Sequence, residues 1–190
     1  MRRSPTPLLL AALVTLAACT TSRSGADTAR ANAALDDAEV LHVFITANRG
    51  EVMSNQPFVD ELQHDEAQAF AREMVAVHST VLGRAEALRL VPRNNPISEG
   101  MNRMVQERVR QLERMDGAEL DRAYVETQVM LHQQTLETLD RMLIPNARNG
   151  ELRALLVQSR PEVQRHLEHA QQLQRQVGGH DASHGGHGGQ

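Results

Sequence analysis

Between residues 36 and 177 apolar side chains return every three to four positions, the spacing by which a helix buries one stripe against its neighbours. The clearest case is 123–143, where Val125, Val129, Leu136, Leu139 and Leu143 keep the rhythm. The slot between Val129 and Leu136 holds His132 instead of an aliphatic residue. A first helix starts near Asp36-Asp37, acids suited to a helix N-terminus, and carries Val40, Phe44, Ala47, Asn55, Phe58 and Leu62. Pro57 should kink or end it. A second helix, with Asp65 as its expected N-cap, carries Ala67, Phe70, Met74, Val81, Ala85 and Leu88. Pro92 and Pro96 break the pattern. A shorter helix over 98–115 follows, with Met101, Val105, Leu112 and Met115. The 123–143 helix should stop before Pro145. The last helix, 149–177, is expected to bend at Pro161 and carries Leu152, Leu156, Ser159, Val163, Ala170, Leu173 and Val177. The pattern predicts an all-α up-down bundle of four long helices with one extra short one. No strand pattern and no internal repeat is visible.

Each long helix breaks its stripe with one polar residue: Glu51, His78, His132 and His166. Their levels can be compared from the turns. Glu51 and His78 stand about 12 and 15 residues from the turn near 63–64, a height difference of roughly 4 Å at ~1.5 Å per residue. His132 and His166 stand about 15 and 19 residues from the turn near 146–148, a difference of roughly 6 Å. The four can share one layer. Buried polar groups need partners, so a metal-free hydrogen-bonded network is the reading that such positions favour by themselves. The sharper one is a single transition metal, zinc, iron, copper or manganese, for which three imidazoles and a carboxylate are suitable ligands. Glu162 and His169, one turn either side of His166, fit outer ligands or a solvated face. Eight methionines hint at copper, although most fit core gaps. Tyr124, the sole tyrosine, fits packing better than catalysis. There is no nucleophile motif, phosphate loop or dinucleotide fingerprint.

Composition narrows the classes. Aromatics are 2% and tryptophan is missing, so stacking platforms for nucleic acid are not on offer, and no nucleic-acid partner is expected. Residues 1–18 read as a targeting segment, with Arg2 and Arg3 ahead of a short apolar run that is too short to span a bilayer. The run ends in Leu16-Ala17-Ala18-Cys19, which resembles the bacterial lipoprotein box. The only cysteine of the chain is thereby predicted to carry lipid and to be the first mature residue. Without residues 1–18, 18 arginines stand against 24 acids, a formal charge of −6 that argues for anchoring by lipid and against docking on anionic membrane. Residues 19–35 read as a flexible tether, 36–177 as the helical domain, and 178–190 as a disordered Gly/His-rich tail with His180, His184 and His187, a possible loose metal binder.

Three motifs together resemble one bacterial family. They are Gly50-Glu51-Val52 with 70–75 leading to His78, Asp121-x-x-Tyr124 running through Gln128-Val129 to His132, and Pro161-x-x-x-x-His166-Leu167. The family is domain of unknown function 4142, and the resemblance covers roughly 36–173. It implies a ferritin-like fold and an exported, outer-membrane protein with no established activity. The family pattern prefers aspartate just before the first histidine, where this chain has Val77, so a partner for His78 must come from elsewhere. Pro57 is also foreign to the pattern. Ferritin-like di-iron proteins use Glu-x-x-His pairs; here Val75, Val129 and Val163 stand three before the histidines, which argues against di-iron chemistry. The resulting expectation is a non-catalytic, lipid-anchored envelope protein on the periplasmic face of the outer membrane, with one transition metal or none in its core layer and with its protein partner unspecified. A mononuclear metal oxidoreductase using the same layer is the alternative.

Overall fold

The computed structural model describes residues 34–179; Cys19, the first part of the tether and the tail histidines lie outside them. Among the described residues all regular structure is helical: α1 (Asp37–Asn55), α2 (Asp65–Ala87), α3 (Pro96–Leu112), α4 (Gly117–Thr138) and α5 (Gly150–Gly179). Asp36 starts α1 by accepting the Glu39 amide at 3.0 Å, while the Glu39 carboxylate takes the Asp36 N–H. Pro57 ends α1 by drawing it into a 3-10 turn, Gln56–Phe58. Asp65 is the first residue of α2, and His64 holds the cap position that the sequence assigns to Asp65. Asn95 caps α3, accepting from Ile97 and Ser98, so α3 starts at Pro96, where a missing N–H costs nothing.

One proline expectation changes. The fourth helix does not stop before Pro145: α4 widens into a π-helical turn, Leu139–Leu143, and adds a last turn, Ile144–Asn146, that contains the proline. The helix α5 runs unbroken through Pro161, starts under Asn149, which accepts from Glu151 and Leu152, and continues to Gly179.

Helix α1 packs on α2 and on α3, while α4 packs on α5, and α2 meets α5. Hydrogen bonds fix the directions. At one end the Asp37 carboxylate accepts from the Arg148 and Asn149 amides at 2.7 and 3.0 Å, tying the start of α1 to the α4–α5 turn. The chain leading into α3 is held at this end too, through the Arg93 amide on the Ala38 carbonyl at 2.9 Å. At the opposite end the Gln63 amide donates to Asp121 at 2.9 Å, joining the α1–α2 turn to the start of α4. Helix α3 thus carries the chain along the length of the bundle, and α2 and α4 run the same way. Gly50 lets α3 come close to α1: a Cβ there would stand 3.1 Å from Val105 Cγ2.

The predicted stripes form the core. Val40, Phe44, Phe70, Met74, Val125, Leu139, Leu152, Leu156, Ala170 and Leu173 are buried, and each large apolar side chain so removed from water is worth about 1.5–3 kcal/mol. Glu51, His78, His132 and His166 are buried among them, with exposures of 3, 3, 0 and 5%.

Candidate metal centre

Helices α2, α4 and α5 each bring one imidazole to the same level. Their ring centroids are 6.0 Å apart for His78–His132, 5.6 Å for His78–His166 and 5.5 Å for His132–His166. One ring nitrogen from each lies within 4.8 Å of the others. Three nitrogens so spaced stand at most about 2.8 Å from a common centre, against about 2.0–2.1 Å for a zinc–imidazole bond. Inward movement of roughly 0.7 Å per ring would close such a site.

Hydrogen bonds set the tautomers. Asn48 Nδ2 donates to the Phe44 carbonyl at 2.8 Å, which turns its Oδ1 to His78, 2.9 Å from Nδ1. An amide oxygen only accepts, so His78 Nδ1 carries the proton and donates it. His132 Nδ1 donates to the Gln128 carbonyl at 2.9 Å by the same logic. The nitrogens left over, His78 Nε2 and His132 Nε2, are buried without a hydrogen-bond partner, as are His166 Nδ1 and Glu51 Oε2. The imidazoles therefore do not satisfy one another as a closed network would. His78 and His132 each keep one buried ring nitrogen free while an oxygen holds the opposite one, the usual dress of a metal-binding histidine.

Glu51 belongs to this layer but stands apart from the three nitrogens. Its Oε1 is 3.9 Å from His132 Nδ1, and with His78 and His166 it lines a cavity of about 20 Å³. Burial raises its carboxyl to about 8. Burial also lowers His132 to about 4, against a smaller opposing effect of its bond to Gln128. His166 falls to about 4, through burial and then the nearby His132. His78 is pushed well below 6.5 by burial and by both other histidines. At neutral pH the layer is an uncharged carboxyl and three uncharged imidazoles, and Glu51–His132 is not an ion pair.

The weaker candidates have other neighbours. Glu162 pairs with Arg165, although it also lines the cavity. His169 lies 3.8 Å from Glu73 and packs edge-on to Phe70, whose ring also meets His132. The Tyr124 hydroxyl is buried and donates to Asn55. Asn55 in turn donates to the Glu51 carbonyl and to Gln128, linking tyrosine and histidine layers. The apolar pattern does not point to Asn48 or to this amide link, and Gln128 enters there only as part of a family motif. The available signal was one amide a turn before two of the polar breaks, Asn48 before Glu51 and Gln128 before His132.

A family model described as domain of unknown function (DUF4142) matches residues 22–173. No curated protein and no solved structure matches the chain.

Proposed function

This chain belongs to the DUF4142 family, whose description carries no activity, and we propose that it binds one transition-metal ion through His78, His132 and His166, with Glu51 as a fourth ligand that gives up its proton on binding. The observation that carries this reading is the set of buried polar atoms without hydrogen-bond partners on these four side chains. Orphaned buried groups cost about 1–3 kcal/mol each, which an ion would offset at one stroke. We read α1, α2, α4 and α5 as a ferritin-like four-helix bundle and α3 as the extra helix. Support comes from the directions: with α3 aside the order is up, down, down, up, with one long crossover, as in ferritin-like folds. The lipoprotein box at Cys19 supports an envelope protein anchored by lipid on the periplasmic face of the outer membrane. The cavity beside the imidazoles, about 20 Å³, has room for one water-sized species. An oxidoreductase would need space for a substrate as well, so we adopt metal binding over catalysis.

The test is melting of the full chain carrying His180→Ala, His184→Ala and His187→Ala, titrated with zinc, copper, iron or manganese. A metal bound only by the folded state should stabilise by about 2.7 kcal/mol at a hundred times its Kd. His132→Ala and His166→Asn should each lose that gain and the one-to-one stoichiometry. Responses identical to the parent's in every metal would overturn the proposal.

A further inference from the structure

Five of the eight methionines line the seam between α3 and α4. All five pack against the core yet stay only partly buried, unlike the fully buried Met74. At one end the seam opens into a groove of about 460 Å³ lined by Met101, Met104 and, from the π-helical turn, Met142. Met101 and Met104 also line a smaller cavity that reaches inward to Gly50, Glu51 and Thr135. Glu51 and Thr135 in turn line the cavity of His78 and His166. Groove, smaller cavity and histidine cavity thus follow one another, with Met101 and Met104 between the first two and Glu51 and Thr135 between the last two.

The donors along this line change in one direction, from thioether sulfur outside to imidazole nitrogen inside. Thioethers are neutral and soft; they favour Cu(I) and offer little to manganese, magnesium or calcium, which suit oxygen ligands. A monovalent ion also loses less hydration than a divalent one on entering an apolar groove. The clustered nitrogens of His78, His132 and His166 can then take it over. We propose that the α3–α4 seam is the access route for Cu(I), which the thioethers of Met101, Met104 and Met142 hold before it passes Glu51 to the three histidines. The proposal rests on the metal-site reading above and names its ion.

The experiment loads the same tail-substituted full chain with Cu(I) from a weak chelator without oxygen. Loading is followed by stopped flow, with X-ray absorption at the copper edge early and late. Sulfur scattering should come first and nitrogen scattering should replace it. Met101→Leu/Met104→Leu/Met142→Leu keeps volume and apolar character; it should lose the sulfur signal and load copper on the order of tenfold more slowly. Zinc loading and the metal-free melting temperature should stay as in the parent. Should the triple variant melt early, Met101→Leu/Met104→Leu reads the same quantities. Unchanged copper loading with no sulfur at any stage would overturn the route and leave the imidazole site standing. Copper that stays on sulfur, indifferent to His132→Ala, would overturn the imidazole site and the transfer with it.

Discussion

At His78 the chemistry depends on an amide from another helix: Asn48 is fixed by the Phe44 carbonyl and so can only accept from the imidazole. Burial then decides charge. The three histidines have folded pKa values below 6.5, so the unfolded chain takes up protons first. Their contribution to stability is whole above 6.5 and is lost as the pH falls toward 4. Glu51 has the opposite sense, because its folded value of about 8 lies above the ordinary 4.5. Its contribution is whole below 4.5 and is lost as the pH rises through 8. Between 4.5 and 6.5 three groups oppose one, and above 6.5 Glu51 acts alone. The metal-free protein should therefore be most stable near pH 6.5 in urea melts, declining on both sides. Glu51→Gln should remove the decline on the alkaline side. A parent whose stability keeps rising to pH 8 would show that Glu51 is already ionised.

Helices reproduce their stripes closely, and packing predictions belong at this scale. Leu136 on α4 is 8% exposed, one turn from His132; Leu136→Ala should cost about 2–5 kcal/mol. Arg110 lies on the exposed face of α3 and pairs only with neighbouring Glu107, so Arg110→Ala should stay within about 0.5 kcal/mol. Denaturant melts that cost the same for both would contradict the faces assigned to α3 and α4. The stripes were legible because each long helix keeps its apolar side to a neighbour over several turns. The shared level of His78, His132 and His166 was legible for the same reason, since a fixed rise converts residue counts into heights. Boundaries were less so. Pro145 and Pro161 break helices in isolation, but a widened turn and packing along α5 accommodate them. The partner of His78 was hidden because Asn48 lies 30 residues away, and only the antiparallel α1–α2 pairing brings it across. How far Glu51 stands from the three nitrogens depends on side-chain reach, which periodicity does not encode.

On the scale of the whole molecule, the question is how a domain of this kind is held where it works. No helix among the described residues is long and apolar enough to cross a membrane. The arginines and acids of residues 19–190 leave a formal charge of −6, which repels an anionic bilayer surface. On the proposed envelope location, the lipoprotein box at Cys19 is the proposed means of attachment. A single short acyl chain gives only marginal binding, whereas more than one holds firmly; a lipoprotein-type modification of Cys19 is of the second kind. Cys19→Ala should therefore leave the helical domain folded and its metal response intact, while the protein either keeps residues 1–18 or appears in the soluble periplasmic fraction. Mass spectrometry of the parent's N-terminal peptide should find lipid on Cys19 as the first residue. Fractionation of Cys19→Ala with outer membranes at the parent's level, together with an unmodified parental cysteine, would overturn the anchor.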